Sequence, residues 1–167
     1  MISNGSIDDL YDFVSKALAS AALDTPRIGE TEPKYVARVF VPYVRKILER
    51  VKDVRVEGEG VRRARAARFM GYSFYPDISI MYDTRRLIAY EAKYLKNDFM
   101  GVQASVASAM GQASIYEVNG YYRAGLIFVS YLNIDGKELV ASITQADQLL
   151  SRKIIYRKVT ADIADSQ

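Results

Sequence analysis

Two acidic residues and a lysine lie on neighbouring stretches of sequence that are rich in aromatic and β-branched residues. Asp77 lies within residues 72–82, and Glu91 and Lys93 lie within residues 86–95. A polar turn at residues 83–85 separates the two stretches, so the pattern predicts a β-hairpin. The chemistry that this hairpin could perform depends on which side chains its register brings together.

The predicted register follows from the length of the loop. If Tyr82 pairs with Arg86 around three loop residues, Asp77 lies directly opposite Glu91. Directly opposed residues have Cβ atoms roughly 4.5 to 5.5 Å apart, so the two carboxylates could share one cation. A shift of one residue would instead place them on opposite faces. The site therefore requires a three-residue loop or an equivalent bulge.

The two-residue period of a strand places Glu91 and Lys93 on one face, and it turns Ile78 and Ala92 to the other side. The backbone carbonyl of Ala92 lies between Glu91 and Lys93 and could act as a further oxygen ligand. Oxygen ligands without nitrogen or sulfur select hard cations, so Mg²⁺ or Mn²⁺ is the expected metal.

Composition restricts the remaining chemistry. The 167 residues include no histidine and no cysteine, which excludes imidazole bases, serine–histidine triads, thiol nucleophiles and the common zinc sites. A hydrolase built from this sequence must therefore use carboxylates, lysine or tyrosine. The net charge of +3 is a mild indication of a polyanionic partner.

The surrounding pattern predicts a single α/β domain over residues 1–167, with a small mixed sheet flanked by helices. An N-terminal helix begins near Ser6, and a second, amphipathic helix begins near Glu32 and is kinked at Pro42. The other predicted helices cover residues 101–118 and 145–151. The other predicted strands cover residues 53–60, 121–132, 138–143 and 153–159.

The dipeptide Pro76-Asp77, followed after thirteen residues by Glu91-Ala92-Lys93, resembles the signature of the PD-(D/E)XK nuclease superfamily. The resemblance covers roughly residues 32–132. It implies the restriction-endonuclease-like core, with the order α-β-β-β-α-β, here extended by an N-terminal helix and by C-terminal strand and helix additions. It also implies hydrolysis of DNA phosphodiester bonds with Mg²⁺ or Mn²⁺, with Asp77, Glu91 and Lys93 as the catalytic core. In that core, Lys93 would position or deprotonate the attacking water or stabilise charge on the phosphate.

The same resemblance implies a metal-ligating carboxylate from the first core helix, for which Glu32 is the best match and Glu30 a weaker one. Gln112 and Tyr116 resemble the glutamine and tyrosine that RecB-type and lambda-exonuclease-like nucleases carry on the following helix. Their spacing of four residues places both side chains on one helix face. Members of this subset that bind an iron–sulfur cluster use cysteines, which this chain lacks.

A basic segment precedes the predicted hairpin and could contact DNA. Its arginines would bind phosphates, and Tyr72, Phe74 and Tyr75 could stack on unpaired bases. The candidate phosphate-binding residues are Arg62, Arg63, Arg65 and Arg68. Runs of charge are also common in solvated loops, which is the alternative for this segment.

Two other functions remain open. The chain could be a catalytically inactive protein of the nuclease fold that binds nucleic acid or a protein partner, or an assembly protein in which the acidic pair is incidental. The lack of a long apolar run predicts a cytoplasmic protein without a membrane span. The composition fits a thermophilic source, and the family resemblance suggests a homodimer.

Overall fold

The computed structural model describes residues 4–96, 99–146 and 152–159. Its helices are α1 (Asn4–Ser20), α2 (Glu32–Tyr35), α3 (Val41–Leu48), α4 (Phe99–Val118) and α5 (Gly136–Ala146). Its strands are β1 (Val54–Gly58), β2 (Ala67–Phe69), β3 (Tyr72–Phe74), β4 (Ile78–Tyr82), β5 (Arg85–Leu95), β6 (Arg123–Ser130) and β7 (Ile154–Lys158). The α/β class predicted from the sequence is confirmed.

A mixed five-stranded sheet forms the centre of the fold, with the strand order β1-β4-β5-β6-β7. Strands β1, β4 and β5 pair antiparallel, whereas β5, β6 and β7 pair parallel. Helix α4 connects β5 to its parallel neighbour β6, as a crossover between parallel strands requires. The longest strand, β5, thus lies in the middle of the sheet with a partner on each side.

Apolar side chains cover both faces of this sheet. Helices α1, α2 and α3 pack on one face, where the buried residues include Tyr11, Phe40 and Tyr90. Helices α4 and α5 cover the opposite face, where Tyr116 and Phe128 are buried. A sheet buried on both faces explains why the sequence of β6 is a nearly continuous apolar run.

The second predicted helix is not a uniform α-helix. Five residues of π-helix, Val36–Phe40, separate α2 from α3, and Pro42 lies in the first turn of α3. Proline has no N–H to donate to the preceding turn, so it disturbs the regular helix at this point. The wider π-helical turn accordingly lies where the sequence predicted a kink. Glu32 remains at the start of this helical segment, as predicted.

The predicted strand over residues 72–82 is wrong in one respect, because it is two strands. Strand β3 ends at Phe74, and β4 begins at Ile78. Strand β3 pairs with β2 in a separate two-stranded sheet. Pro76 lacks the N–H that a continuous strand would use, which accounts for a break in pairing at this point.

The predictions for the C-terminal part are partly wrong. Residues 138–143, expected to be a strand, lie within helix α5, where the spacing of Leu139, Val140 and Ile143 fits one helix face. The short helix expected at residues 145–151 shares only residues 145 and 146 with α5, and residues 147–151 lie outside the described part. The last strand is confirmed as β7.

Within the described ranges, no helix combines the length and apolar character that crossing a bilayer requires.

Candidate active site

The register between β4 and β5 is the one predicted at the site, although it arises differently. The loop has two residues rather than three, because Tyr82 pairs with Arg85. A β-bulge follows, in which Leu87 has no partner, and beyond it Ile80 pairs with Ile88 and Ile78 with Tyr90. The extra residue of the bulge compensates for the residue missing from the loop.

This register directs the side chains next to the site as predicted. Ile78 and Ala92 both belong to the apolar cluster on the face covered by α1, α2 and α3. Asp77 immediately precedes β4, and its Oδ2 accepts a 2.8 Å hydrogen bond from the backbone N–H of Ala92. The Asp77 carboxylate therefore accepts the hydrogen bond that a backbone carbonyl would accept if the pairing of β4 with β5 continued. This bond fixes Asp77 beside Glu91.

Lys93 connects two carboxylates from different elements. Its Nζ donates to Oε1 of Glu91 at 2.5 Å and lies 3.4 Å from Oε1 of Glu32. Glu91 is buried, whereas the side chains of Lys93 and Glu32 are each about one-fifth exposed. The predicted placement of Glu91 and Lys93 on one face is thus confirmed, and the site has a route to solvent at its lysine.

The two candidate carboxylates near the start of α2 have different environments. The Oε2 of Glu32 accepts a 2.5 Å hydrogen bond from the backbone N–H of Tyr94, which fixes it against β5. Glu30 instead forms two 2.8 Å hydrogen bonds with the guanidinium of Arg38. Of these two carboxylates, only Glu32 is in contact with Lys93, whereas Glu30 is paired with Arg38.

Helix α4 contributes Tyr116 to the site. Its hydroxyl donates a 2.6 Å hydrogen bond to Oε2 of Glu91, and the residue is fully buried. Gln112 lies one turn earlier in the same helix, and its Oε1 is buried with no hydrogen-bond donor among the described residues. Tyr116 thus contacts the acidic pair directly, while Gln112 carries an acceptor whose hydrogen-bonding capacity is unused.

Burial and mutual repulsion shift the pKa values of the acidic pair. Burial, followed by the charge of Glu91, raises the pKa of Asp77 well above its usual range. Burial also raises the pKa of Glu91, against the opposing effects of Lys93 and Tyr116. Buried carboxylates that repel each other are stabilised by a positive charge between them. The pair is therefore suited to hold a cation.

Lys93 and Tyr116 respond to the same charges. Burial lowers the pKa of Lys93, but the carboxylates of Glu91 and Glu32 outweigh it and leave the pKa raised. Burial, and then the charge of Glu91, raises the pKa of Tyr116. Lys93 is consequently an ammonium and Tyr116 a neutral hydrogen-bond donor near pH 7. In this arrangement Lys93 can position groups and stabilise negative charge, but it has no free lone pair with which to accept a proton.

The donor set agrees with a hard divalent cation in its chemistry. Asp77, Glu91 and Glu32 supply carboxylate oxygens, and neither nitrogen nor sulfur ligands accompany them. Across the described ranges, no three acidic side chains already form a metal-binding group. Here the Lys93 ammonium contacts both Glu91 and Glu32. The backbone N–H of Ala92 donates to Asp77, and the carbonyl of Ala92 stays a predicted ligand.

Two residues of β1 were missed by the sequence prediction. A Cβ added to Gly58 would lie only 2.4 Å from the backbone oxygen of Asp77, so a larger residue would displace the start of β4. Glu57 is buried, and its Oε1 contacts Arg55 at 2.9 Å and Arg62 at 3.6 Å. The sequence signal was a carboxylate directly before a glycine at the end of an alternating strand.

The predicted nucleic-acid-binding residues lie between β1 and β4. Arg63 stacks on the ring of Tyr75, with 3.7 Å between the guanidinium carbon and the ring centroid. Arg62 lies beside Glu57, while Arg65 and Arg68 are exposed. Tyr72 is 71% exposed on β3. Arg63 thus contacts the tripeptide Tyr75-Pro76-Asp77 that leads into the acidic pair.

The site is therefore assembled from α2, the start of β4, β5 and α4. Its geometry contains three carboxylates, one ammonium group and one phenol in direct or shared contact. No protein-family model, curated protein or solved structure matches this chain.

Proposed function

We propose that this protein is a Mg²⁺- or Mn²⁺-dependent deoxyribonuclease that hydrolyses DNA phosphodiester bonds at the site around Asp77, Glu91 and Lys93. The observation that carries the proposal is the bridging of Glu91 and Glu32 by Lys93, next to an Asp77 held against the same strand. The competing interpretation of these residues is an ordinary surface salt bridge across the hairpin. Such a bridge would require neither the burial of Glu91 nor the hydrogen bond that Tyr116 donates to it.

The order of elements supports a restriction-endonuclease-like core. From α2 onwards, the central elements follow the order helix, β1, β4, β5, α4 and β6, with the β2–β3 hairpin inserted after β1. Asp77 directly precedes β4 and Glu91 lies on β5, an arrangement that agrees with the spacing of the PD-(D/E)XK signature. We include this fold family in the proposal because sequence motif and element order agree.

Each residue has a distinct part in the proposed reaction. Asp77, Glu91 and Glu32 would hold the cation, which when bound polarises the scissile phosphate and lowers the pKa of water. Lys93 supplies positive charge for the phosphate oxygens and can orient the attacking water. Tyr116 fixes Glu91 by donating to Oε2, and Gln112 offers a buried acceptor on the same helix.

Recognition of the DNA backbone is assigned to the basic segment that precedes the site. Arg65 and Arg68 have no acidic partner within the described ranges, so their charges are available for phosphates. Arg62 forms an ion pair with Glu57, and Arg63 stacks on the ring of Tyr75. Contacts of this kind bind without regard to sequence, so they indicate no sequence preference.

The test is a cleavage assay with single-stranded, double-stranded, flap and four-way-junction DNA in Mg²⁺, Mn²⁺ or EDTA. We expect cleavage that EDTA abolishes, and its loss in Asp77→Asn, Lys93→Met and Glu32→Gln. Glu30→Gln is the matched control, because Glu30 lies two residues from Glu32 but pairs with Arg38. Equal cleavage by wild type and Asp77→Asn would refute the assigned site.

The alternative, a noncatalytic protein of the nuclease fold, gives a different result in the same assay. It predicts salt-sensitive DNA binding without cleavage in either metal, because binding needs the arginines but not the acidic pair. Absence of both cleavage and binding would favour the assembly protein.

A further inference from the structure

The β2–β3 hairpin carries an exposed apolar tip whose position the proposed cleavage reaction does not explain. Phe69, Met70 and Tyr72 are 47%, 81% and 71% exposed, and with Gly71 they form four consecutive positions at the turn. Three large apolar side chains side by side on a loop tip form a patch, unlike a single exposed residue. Such a patch indicates contact with another molecule.

The hairpin is mounted rigidly at its base. Ala67 is buried in the cluster beneath α4, and Phe74 packs against the same cluster. The guanidinium of Arg86 donates to the carbonyls of Ala66 and Asn119, at 3.0 and 2.6 Å. These bonds join the hairpin to β5 and to the end of α4, so its tip projects from a fixed support.

The pairing of the two strands determines where the apolar side chains point. Ala67 pairs with Phe74, and Phe69 pairs with Tyr72. Positions two apart on a strand share a face, so Phe69 and Tyr72 continue the face that packs on α4 at the base. At the tip this face extends past the core and is open to solvent.

The backbone of the turn at residues 70 and 71 is strained, and a turn that only joined two strands would not require this strain. Met70 and Gly71 have φ values of 48° and 83°, the left-handed combination of a type I′ turn. Of the three described non-glycine residues with positive φ, the others are Asp53 and Asp83, a residue type that tolerates this region. Asparagine is the preferred residue at the Met70 position. An exposed methionine there therefore suggests a requirement for its side chain.

The surroundings of the tip favour a polyanion as the partner. Residues 62–68 contain four arginines and no acidic residue. Arg65 and Arg68 are exposed and lie next to the tip in sequence. Apolar side chains that insert between bases, flanked by cations that bind phosphates, are a recurrent means of unstacking DNA.

We propose that the β2–β3 hairpin is a wedge that inserts Met70 into DNA where paired strands meet unpaired ones, while Phe69 and Tyr72 stack on the released bases. Frayed or branched DNA is then preferred over continuous duplex, because its terminal base pair is the easiest to open. This deepens the proposed nuclease function, on which it rests for the position of the cut but not for binding.

The chain also limits the distance from wedge to site. Asp77 is seven positions after Met70, which places the two at most about 25 Å apart along the backbone. The cut is consequently expected within about seven nucleotides of the junction.

The test uses forked DNA with the fluorescent adenine analogue aminopurine in the last base pair, bound to the intact protein in EDTA. We expect fluorescence to rise on binding of the wild type, and Met70→Asn to lose this rise and bind the fork about 10-fold more weakly. Met70→Leu should retain both properties. Binding to continuous duplex should change little in either variant.

Met100→Asn is the matched control, because Met100 is 71% exposed at the start of α4, whereas the hairpin is bonded to Asn119 beyond the other end of that helix. Asparagine suits the turn, so Met70→Asn should unfold at the same or a higher urea concentration, which separates loss of the wedge from loss of the fold. Equal binding of the fork by wild type and Met70→Asn, or binding without a fluorescence rise, would overturn the proposal. So would failure of the wild type to bind the fork.

Cleavage in Mg²⁺ is measured separately on the same fork. Cleavage without the fluorescence rise refutes the wedge and leaves the nuclease intact. A fluorescence rise that depends on Met70, without cleavage, supports the wedge and refutes the nuclease.

Discussion

The phenol of Tyr116 donates a 2.6 Å hydrogen bond to Oε2 of Glu91, while Lys93 donates to the other oxygen of the same carboxylate. Both oxygens of Glu91 are thus fixed before any ligand binds. Groups that orient a metal-ligating carboxylate typically change affinity or activity by about 10- to 100-fold when they are removed.

Tyr116→Phe should therefore lower the cleavage rate about 10-fold while the ring stays packed in the core. Tyr121→Phe is the control, since Tyr121 lies in the same apolar cluster and its hydroxyl bonds to Ser79 at 2.8 Å. We expect its cleavage rate to be within about twofold of the wild type. Equal losses in the two variants would assign the effect of Tyr116 to packing.

Asp77→Asn should raise stability while it abolishes cleavage. The ionised Asp77 is penalised by burial and by Glu91, whereas asparagine keeps an oxygen for the N–H of Ala92. A carboxyl whose pKa is raised on folding destabilises the fold above its unfolded pKa, so removing it should add roughly 1 kcal/mol at pH 7 in EDTA. Urea unfolding measures this gain. A less stable variant would contradict the prediction.

Mg²⁺ should stabilise the wild type against unfolding but leave Asp77→Asn unchanged. At a concentration of about 100 times Kd, the free energy of unfolding should rise by about 2.7 kcal/mol. Lys93→Met should keep this stabilisation, because Lys93 competes with a cation for Glu91 and Glu32. A Lys93→Met variant that neither binds Mg²⁺ nor cleaves would show that Lys93 is needed to build the site.

The ion pair of Glu30 and Arg38 should make the free energy of unfolding depend on pH in the acidic range. The Arg38 guanidinium lowers the pKa of Glu30 to about 2. Because the folded pKa lies below the unfolded value of 4.5, the stabilisation is complete above pH 4.5 and is lost as pH falls towards 2. Glu30→Gln should cost about 1 to 2 kcal/mol at pH 7. The cost should vanish near pH 2, as followed by urea unfolding.

Gly58→Ala should damage the site through the backbone. The added methyl would meet the carbonyl of Asp77 at 2.4 Å and a methyl of Val41 at 3.0 Å, so the start of β4 must move. We expect lower stability and at least a 10-fold loss of cleavage, since small displacements of reacting groups are costly. Gly111→Ala, on an α4 residue with no neighbour within 4 Å, should instead stabilise by about 0.5 to 1 kcal/mol.

The placement of the side chains at the site was predicted correctly from the sequence, whereas the loop of the β4–β5 hairpin was not. The alternation of residues 86–95 correctly placed Glu91 and Lys93 on one face, and burial on both faces of the sheet made that register costly to change. The loop length was wrong, because a two-residue loop with a bulge at Leu87 is equivalent in register to the three-residue loop. Local sequence does not distinguish these two solutions.

Other features depend on contacts distant in sequence. The contact of Glu32 with Lys93 spans 61 residues and was not predicted. Glu32 was named as a candidate metal ligand from the family resemblance rather than from any local pattern. The separate β2–β3 hairpin was missed because residues 72–75 include three aromatic residues, typical of a strand, and no turn signal comes before Pro76. Helix α5 was mistaken for a strand, since a short segment with three apolar residues fits either period.

Strand β5 is hydrogen-bonded along both edges, to β4 and to β6, and it carries Glu91 and Lys93. Amide hydrogens in such a strand exchange with solvent only when the whole molecule opens. Glu32, by contrast, lies in the first turn of its helical segment, where helix ends fray. Under mild denaturant, the helix end that carries Glu32 should therefore open first. The amide hydrogens of β5, which carries Glu91 and Lys93, should still exchange at the slowest rate in the protein.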